Sequence, residues 1–600
     1  MKFVRILAIA MAALFVTPAL AADSHAKWSE WHEDIFTKAT AEKRFVILDL
    51  EAVWCHWCHV MEKTTYADKK VNELLASKYI AVRADQDANP DLSSRYGDWG
   101  WPATIIFGPD GNEIAKFRGY IEPERMASIL QAVIDDPSPG PSIGQTFSGA
   151  PAAQKFLTKE KRDELIAGYD ASYEEKLGGW GENQKYIDSD SMDYAMLRAE
   201  SGDQQATKRA RQTLDAAIAL IDPVWGGVYQ YSEGGSWTKA HFEKIMSFHG
   251  QYLRQYSQAY ARWNDPKYLK AAQDIERYMI SMLLGPEGAF YVSQDADLNR
   301  EVDGHAFYAL DDAGRRKLGM PRIDKNLYAR ENGWAISGLA AFYNVTKDAK
   351  ALERMEGAAR WVIANRSLPN GGFSHGAKDR GGPFLGDTAT MGQAFLDLYG
   401  ATGNREWLTA AGKAGDFVIA NFKDPNGGFF TSKTAEAKVG VFAKPARLME
   451  DQILVSRFLN LLDHYFGNET YHDNAVHAVK YLTAMTAELV RPLPGVLLAD
   501  DEIAIEPTHI TIVGAKTDTK ARELHAFARA YPARYKRLEW LDPREGKLPN
   551  PDVEYPDLGK AAAFACSNRI CSYPSFSEKE LKETVEQMSK LKKPQRQSSN

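Results

Sequence analysis

Cysteine is scarce in this sequence: 600 residues contain only Cys55, Cys58, Cys566 and Cys571. Four cysteines are too few to build a disulfide-held scaffold, so apolar cores must stabilise the chain. Beyond the N-terminus, no apolar run is long enough to cross a bilayer as a helix. A net charge of −7 without a long basic run argues against nucleic-acid binding.

The first 21 residues are typical of a secretory signal peptide. Basic Lys2 and Arg5 flank the start of the apolar run 6–16, and Ala19 and Ala21 form a small-residue cleavage site. The apolar run is too short to span a bilayer. We therefore expect residues 1–21 to be removed and the mature chain to be soluble and periplasmic or secreted.

The most informative segment is 54–59, in which Cys55 and Cys58 form a Cys-x-x-Cys pair. Residues 45–52 before the pair are predicted to form a buried strand, and a helix is predicted from Val60 onward. Both sulfurs would then lie at a helix N-terminus, where unpaired N–H groups stabilise a thiolate. The pair is predicted to be redox-active, with Cys55 the more exposed nucleophile.

Two further positions favour a thioredoxin-like domain over residues 22–135. Asp49 lies six residues before Cys55, where thioredoxins keep a buried acid near the second sulfur. Pro102 leads into the apolar run 103–107 and resembles the cis-proline that faces such a cysteine pair. Both residues are therefore candidates for the redox site.

Histidines lie inside and directly after the cysteine pair. His56 and His59 could donate to the Cys55 thiolate, or carry a charge near it, and so lower its pKa. They also raise the alternative of a zinc site, whose other two ligands would have to be Cys566 and Cys571. A purely structural disulfide is the other alternative. We expect the redox interpretation to hold, with no metal and no cofactor.

After a linker rich in proline and glycine, residues 136–155, the pattern is helical to about residue 500. Apolar residues recur at spacings of three and four, and the connections are short. Nine helices are predicted, at 205–221, 247–263, 267–284, 333–344, 350–365, 388–401, 406–421, 451–466 and 471–488.

The connections between these helices repeat one design. Each uses proline and glycine to end a helix and then places an aromatic residue in a short extended piece. Five copies begin at Gly178, Asp222, Gly285, Pro369 and Asp424, and residues 494–497 are a candidate for a degenerate sixth. About six helical hairpins closing on themselves predict an (α/α)6 toroid over 156–500. The simpler alternative is that these loops only end helices.

The last hundred residues, 501–600, are predicted to be a small α/β segment. Strands are predicted at 509–514 and 537–541, with a helix between them that ends near Ala530 and a closing helix at 577–591. A short structural disulfide between Cys566 and Cys571 is the favoured interpretation. The alternative is a second redox pair that exchanges with the first one.

Several motifs resemble, in the same order, those of the thioredoxin-domain proteins related to spermatogenesis-associated protein 20 and the bacterial protein YyaL. They are residues 55–61, 178–181, 240–244, 295–297 with 304, and 332–334. The resemblance implies a thioredoxin-like domain joined to a six-hairpin toroid similar to N-acylglucosamine 2-epimerases and several glycosidases. Residues 247–250 and 449–452 depart from the family's Tyr-Asp-Asn-Ala and Pro-Ser-Gly-Asn motifs, which puts any sugar chemistry of the toroid in doubt here.

Eight residues of the predicted toroid lie at loop ends or helix starts, the positions that face the mouth of such a barrel. Epimerisation of a sugar would need an acid and a base, and hydrolysis would need two carboxylates at a fixed separation. The alternative is that these residues cap helices or hold their ends. The eight are Tyr229, Trp237, His241, Glu243, Asp295, Asp297, Glu450 and Asp451.

The leading hypothesis is an exported thiol–disulfide oxidoreductase that acts on protein disulfide or thiol clients. Cys55 would attack a client disulfide, Cys58 would resolve the mixed disulfide, and Asp49 would assist proton transfer. Pro102 would hold the client backbone, while the toroid selects the client. Two alternatives stay open: a carbohydrate-active or glycan-binding toroid with an accessory thioredoxin domain, and a non-catalytic scaffold for a partner protein.

Overall fold

The computed structural model describes residues 26–32, 34–143, 149–379, 381–433, 439–487, 492–550, 552–567 and 570–591. The predicted signal peptide, residues 1–21, lies outside them. None of the described helices is long and apolar enough to cross a membrane. Along the chain, a small α/β part is followed by a large helical part and a second small α/β part.

The N-terminal part is a five-stranded sheet accompanied by five helices. Its strands are β1 (Trp28–Glu30), β2 (Phe45–Glu51), β3 (Tyr79–Asp85), β4 (Ala103–Phe107) and β5 (Glu113–Arg118). Its helices are α1 (Ile35–Glu42), α2 (His56–Lys63), α3 (Lys69–Lys78), α4 (Pro90–Tyr96) and α5 (Pro123–Asp135). The strand order is β1-β3-β2-β4-β5, with β1, β2 and β3 parallel, and β4 antiparallel to both β2 and β5.

The central strand β2 is apolar on both of its faces. Val46 and Leu48 pack into one core and Ile47 packs into the other. A strand covered on both faces requires a continuous apolar run, which is what the sequence has at 45–50. Asp49 interrupts that run and is nevertheless buried, so its carboxyl group lies inside the domain.

The central part is a closed ring of helical hairpins, the predicted (α/α)6 toroid. Its inner helices are α7 (Ser189–Glu200), α9 (Met246–Trp263), α13 (Ala329–Thr346), α15 (Leu385–Thr402), α17 (Met449–Phe466) and α19 (Pro494–Ala504). Its outer helices are α6 (Lys159–Ala171), α8 (Gln204–Ala217), α10 (Pro266–Tyr278), α14 (Ala349–Arg366), α16 (Arg405–Phe422) and α18 (Glu469–Met485). Each inner helix contacts the next, and α19 returns to α7. All nine helices predicted from the sequence are confirmed.

The inner helices α9 and α13 approach each other closely at two glycines. A Cβ atom added to Gly250 would lie 2.5 Å from the Trp334 carbonyl oxygen, and one added to Gly338 would lie 2.8 Å from the Gly250 carbonyl oxygen. These separations are shorter than a van der Waals contact, so any other residue at either position would push the two helices apart.

The glycine–aromatic loops are held by the inner helices that follow them. The residue after each glycine turn donates its backbone N–H to the fourth residue of the next inner helix. Four such bonds occur among the described residues: Val228 to His249 (3.0 Å), Phe290 to Asn332 (2.8 Å), Phe373 to Thr388 (3.1 Å) and Phe429 to Gln452 (2.7 Å). These loops therefore end helices and fix the ring. The suggestion of a sixth copy at 494–497 is wrong, because Pro494 is the first residue of α19.

Short strands form small sheets at the rim of the ring. They comprise β6 (Tyr231–Ser232), β7 (Ala240–His241), β8 (Lys244–Ile245), β9 (Ser293–Gln294) and β10 (Ile323–Asp324), and the connection from α10 to α13 also holds α11 (Gly304–Tyr308) and α12 (Asp312–Leu318). Strand β9 pairs with both β8 and β10. This pairing brings the residues after β9 next to the start of α9.

The C-terminal part repeats the topology of the N-terminal one. It contains β11 (Thr508–Val513), α20 (Thr519–Ala530), β12 (Lys536–Leu541), β13 (Ala562–Ser567), β14 (Ile570–Cys571) and α21 (Glu578–Ser589). The strand order β12-β11-β13-β14, with β11 and β12 parallel and β13 antiparallel to its neighbours, matches β3-β2-β4-β5. Asp518 caps α20 at the place where Cys55 caps α2. The predicted strand–helix–strand is confirmed.

One loop of the toroid completes the core of the N-terminal part. Within the turn Gly440–Ala443, Phe442 is fully buried. Its ring centroid lies 5.0 to 5.6 Å from those of Trp31, Phe36 and Phe107. The Arg95 guanidinium also donates to the Val441 carbonyl oxygen at 2.9 Å. The two parts therefore share one hydrophobic core.

We predict that Phe442→Ala loosens the N-terminal part without unfolding the toroid. The cavity left by the ring should cost about 3–5 kcal/mol. Hydrogen–deuterium exchange should show faster exchange in β2 and β4, with the inner helices unchanged. Lys444→Ala is the matched control, because this exposed residue contributes through its backbone carbonyl only. Equal exchange in the two variants would contradict the shared core.

Candidate functional site

The cysteine pair lies at the end of β2, as predicted. Cys55 is the N-cap of α2 and has an extended backbone, and its Sγ accepts a hydrogen bond from the Cys58 backbone N–H at 3.1 Å. The two residues are joined by a disulfide. The Trp101–Pro102 peptide bond is cis, as the thioredoxin resemblance implies. The Trp101 ring lies 5.2 Å from that of Trp54, beside the pair.

The toroid covers this disulfide. Cys55 is 2% exposed and Cys58 is 5% exposed. On the toroid side, the cover is made by Ile245 of β8 and Phe248 of α9. The prediction that Cys55 is the more exposed sulfur is therefore wrong. It treats the thioredoxin-like domain as if it stood alone, and the cover comes from residues about 190 positions later in the chain.

Asp49 is buried in β2 with one carboxylate oxygen 3.5 Å from the Arg83 Nε. Burial raises the pKa of Asp49 to about 8, helped by the charge of Glu51 and opposed by that of Arg83. A carboxyl group with a pKa near neutrality can accept or release a proton at the pH at which thiols exchange. This fits the role in proton transfer that the sequence suggests for it.

The histidines of the pair face carboxylates of the toroid. His56 Nδ1 lies 2.8 Å from Asp297 Oδ2, and the His56 backbone N–H donates to Glu243 Oε1 at 3.4 Å. The His59 ring nitrogens lie 3.7 Å from Asp295 Oδ2 and 3.6 Å from Asp297 Oδ2. The hydrogen bond that the protonated His56 ring donates to Asp297 raises the pKa of His56. Burial lowers the pKa of His59, but Asp297 and Asp295 together raise it above its ordinary value.

The three carboxylates have different electrostatic environments. Burial raises the pKa of Glu243 to about 7 and that of Asp295 to about 6. Burial acts in the same direction on Asp297, but its histidine partners hold its pKa well below the ordinary range. The Gly304 backbone N–H donates to Asp297 Oδ1 at 2.8 Å, and the Asp297 N–H donates to Asp295 Oδ1 at 3.0 Å. These backbone hydrogen bonds within the motif 295–297 and Gly304 fix the positions of the Asp295 and Asp297 carboxylates.

A second bridge joins the two parts through Asp87, which the sequence does not single out. The Trp54 Nε1–H donates to Asp87 Oδ2 at 2.8 Å, and His375 Nε2 lies 2.7 Å from the Asp87 carbonyl oxygen. His375 Nδ1 lies 2.9 Å from Asp387 Oδ1. Both ring nitrogens of His375 face oxygens, and the charge of Asp387 raises its pKa against the effect of burial. No local motif marks a contact that spans 288 residues.

Three of the predicted toroid residues lie outside both the carboxylate–histidine cluster and the lining of the central cavity. The Tyr229 ring packs at 5.0 Å from that of Phe242, and the Trp237 indole N–H donates to the Leu177 carbonyl oxygen at 2.9 Å. His241 stacks on the Tyr231 ring at 4.2 Å. Burial lowers the pKa of His241. His241 Nε2 also lies 3.2 Å from Glu233 Oε2, so the three residues pack the rim or pair with their neighbours there.

The hollow of the ring is a second candidate site, a cavity of about 710 Å³. Glu450 and Asp451 line it, together with Asp190, Arg330 and Trp334. Residues 90, 93 and 94 of α4 lie at the end where the inner helices begin. Residues 529–536 of the C-terminal part lie at the end where those helices finish. The N-terminal α/β part thus borders one end of the cavity, and the C-terminal α/β part borders the other end.

The cavity combines protonatable carboxyls with fixed charges. Burial raises the pKa of Asp190 to about 7 and that of Asp451 to about 7. Asp193 is buried as well, but the Arg254 and Arg534 guanidinium groups hold its pKa well below the ordinary range. Such a set can bind a polar ligand and exchange a proton with it.

The second cysteine pair belongs to the C-terminal sheet. A disulfide joins Cys566 of β13 to Cys571 of β14, and the Tyr555 hydroxyl lies 3.6 Å from Cys566 Sγ. Each cysteine pair is bonded within itself and lies in a different part of the chain. The four cysteines therefore do not form the zinc site considered from the sequence. Exchange between the two pairs stays a prediction.

Comparison with known proteins agrees with this architecture. Residues 18–134 match the family model Thioredox_DsbH, described as a protein of unknown function, DUF255. Human spermatogenesis-associated protein 20 is 22% identical, and the similarity covers 93% of this chain and 89% of that protein. The thiol:disulfide interchange protein DsbD of Yersinia pestis is 34% identical over 99 residues, which is 16% of each chain.

Among solved structures, a D-mannose isomerase resembles 54% of this chain and 85% of its own, at a TM-score of 0.44 and 12% identity. The resemblance to spermatogenesis-associated protein 20 expected from the motifs is confirmed.

We predict that Ile245→Ala uncovers the Cys55–Cys58 disulfide. Removing three carbons from the cover opens a path to the sulfurs, so reduction by dithiothreitol should become several-fold faster. Ile336→Ala is the control, because it removes the same atoms from a fully buried position in α13. Timed alkylation with mass spectrometry measures both rates. Equal acceleration in the two variants would show general loosening instead of a specific cover.

We also predict that Asp49→Asn flattens the pH dependence of stability. The folded pKa of about 8 lies above the ordinary value of 3.8. The native state therefore holds a proton that the unfolded chain has lost, and the free energy of unfolding falls as pH rises between these values, by at most about 1.4 kcal/mol per pH unit. Urea unfolding of the wild type and Asp49→Asn at pH 5, 6, 7 and 8 measures the difference. Parallel profiles would mean that Asp49 is ionised throughout.

Proposed function

Since a DsbH-type thioredoxin domain is matched at residues 18–134 and the chain is related to spermatogenesis-associated protein 20, we propose that it is an exported thiol–disulfide oxidoreductase. The observation that carries this proposal is the placement of Cys55 at the N-terminus of α2. There its sulfur accepts the Cys58 backbone N–H and lies beside the loop of the cis-proline Pro102. Such a setting stabilises a thiolate.

The exchange would run in two steps from the reduced protein. The Cys55 thiolate attacks a client disulfide, forms a mixed disulfide and releases one client thiolate. Cys58 then loses its proton and attacks Cys55 Sγ, which restores the Cys55–Cys58 disulfide and releases the second client thiolate. Two electrons pass to the client, and a dithiol donor must reduce the pair again. Asp49 is the proposed acceptor of the Cys58 proton.

The same steps in reverse would oxidise a client dithiol. Either direction requires a client sulfur to approach Cys55 along the axis of the bond that breaks. Ile245 and Phe248 pack against the pair, and the pair is almost fully buried. We therefore propose that the client is admitted only when the toroid rim and the thioredoxin-like domain separate, so that the toroid selects which proteins react.

Binding of a carbohydrate in the toroid is the second candidate function, and the central cavity favours it. A volume of about 710 Å³ is in the ordinary range for small-molecule sites. Trp334 offers a ring for stacking, and Asp190 and Asp451 offer carboxyls with a pKa of about 7. One such carboxyl could donate a proton while another accepts one.

We predict that Cys58→Ala accumulates mixed disulfides through Cys55, because the second step is then blocked. The chain is expressed with residues 1–21 in its own host, quenched in acid, alkylated and analysed by mass spectrometry. Defined protein adducts are expected at Cys55. The Cys55→Ala/Cys58→Ala variant should have none, and Cys566→Ala/Cys571→Ala added to Cys58→Ala should leave them unchanged if the second pair is structural.

The absence of adducts, with Cys55 present and open to alkylation after reduction, would contradict the oxidoreductase. The double cysteine variant then serves a second purpose. A glycan that binds it as tightly as the wild type, and binds Asp190→Asn more weakly, would favour the carbohydrate function of the cavity.

A further inference from the structure

The cluster between α2 and the toroid has the composition of a metal site. His59, Asp295 and Asp297 each offer one ring nitrogen or carboxylate oxygen, and these atoms all lie within 4.8 Å of one another. The ligands come from two domains: His59 lies in α2 of the thioredoxin-like domain, and the two aspartates lie in the segment after β9 of the toroid. For this reason no spacing in the sequence could reveal the group.

Glu243 supplies an independent observation at the same place. It is 3% exposed, and its Oε2 is buried with no hydrogen-bond partner. The other carboxylate oxygen of Glu243 accepts the His56 backbone N–H at 3.4 Å. The charge of Glu243 raises the pKa of Asp295, and the charge of Asp297 raises the pKa of Glu243. A buried carboxylate oxygen without a partner is costly, and proteins rarely leave one in that state. A cation bound beside it, or a water molecule on that cation, would be its partner.

The balance of charge leads to the same conclusion. Glu243, Asp295 and Asp297 are 3%, 6% and 7% exposed. Opposite them stand two half-buried histidines, His56 and His59. Three carboxylates removed from water need compensating positive charge. A dication supplies it and leaves the imidazoles free to act as neutral ligands or donors.

The distances suit a small divalent ion. Zinc bonds of about 2.0–2.1 Å in tetrahedral geometry place ligand atoms about 3.3 Å apart. His59 Nε2 lies 3.7 Å from Asp295 Oδ2, and His59 Nδ1 lies 3.6 Å from Asp297 Oδ2. One ligand atom of each residue lies within 4.8 Å of the other two, so rotation of the ring and the carboxylates would have to bring them together around the ion. His56 and the Gly304 N–H hold Asp297 from outside, as partners of metal-bound carboxylates do. Mixed nitrogen and oxygen donors favour zinc over calcium or magnesium.

A second group of similar composition, Glu331, His375 and Asp387, has its histidine ring already engaged. Both ring nitrogens of His375 face oxygens, and the Arg330 guanidinium pairs with Glu331 at 2.9 Å. With a guanidinium in place and no ring lone pair left over, this group needs no metal. Glu331 Oε2 is buried without a hydrogen-bond partner, as Glu243 Oε2 is, so the two clusters differ in the engaged ring of His375 and in the guanidinium of Arg330.

We propose that His59, Asp295 and Asp297 bind one zinc-class divalent ion, with water as its fourth ligand and the buried Glu243 carboxylate nearby. The ion would tie the toroid rim to α2, next to the Cys55–Cys58 disulfide. It would thereby hold the cover of the disulfide in place. This site does not depend on the proposed oxidoreductase, since none of its ligands is a cysteine.

The test is metal binding by the purified mature chain. The protein is stripped with EDTA, dialysed against ZnCl₂ and analysed for zinc by mass spectrometry, with CoCl₂ as a visible-absorption probe of geometry and CaCl₂ as a control ion. One equivalent of zinc is expected. Glu243→Gln, His59→Gln and Asp295→Asn should each weaken binding by about tenfold or more. His241→Gln, a nearby histidine outside the cluster, should keep full affinity, as should Cys55→Ala/Cys58→Ala.

Thermal melting with and without zinc provides a second measurement, which also serves for a variant that is less stable than the wild type. Zinc should raise the melting temperature of the wild type and of His241→Gln but not that of His59→Gln. Failure of the wild type to retain zinc would overturn the proposal. So would zinc binding that survives in all three cluster variants, or that is lost in the cysteine variant. Loss of the client adducts with zinc binding intact would instead defeat the redox function alone.

Discussion

The close approach of α9 and α13 at Gly250 and Gly338 is the constraint on which the rest of the architecture depends. Helices that meet through glycine backbones leave little freedom in the curvature of the ring. All six inner helices then begin on one rim. The glycine–aromatic loops are tied to the starts of four of them, so the rim is a rigid surface. The thioredoxin-like domain sits on this surface, and the surface covers its disulfide.

The site around the Cys55–Cys58 disulfide is consequently shared between two domains. The thioredoxin-like part contributes the sulfurs, the buried acid Asp49 and the cis-proline. The toroid contributes an apolar cover and three carboxylates that meet His56 and His59. The central cavity opens on the same rim, where α4 borders it. A ligand in the cavity and a client at the sulfurs would therefore act on one interface, which makes the redox and carbohydrate hypotheses less separate than they look from the sequence.

Local patterns predicted much of this molecule. The run 45–50, the cysteine pair and Pro102 are contiguous signals, and the nine long helices have strong apolar periodicity. Helices α6, α7 and α19 are not among the predicted ones: α6 and α7 are rich in charge, and α19 is buried on all sides, including Asp500, Asp501 and Glu502, so none shows a clear amphipathic stripe. The assignment of Glu243, Asp295 and Asp297 to a barrel mouth followed from their loop positions. Which partner they face depends on how two domains dock, and single-chain periodicity carries no information about that.

The position of Phe442 bears on the order in which the chain can fold. The sheet of the N-terminal part forms first during synthesis, but its core lacks one aromatic ring until the loop after α16 has been made. The hydrogen bond from Arg95 to Val441 spans 346 residues. A contact so distant in sequence is slow to form and leaves apolar surface open in the meantime. The thioredoxin-like domain thus completes its core late despite its place at the start of the chain, and its cysteines stay accessible to other thiols until the toroid has closed.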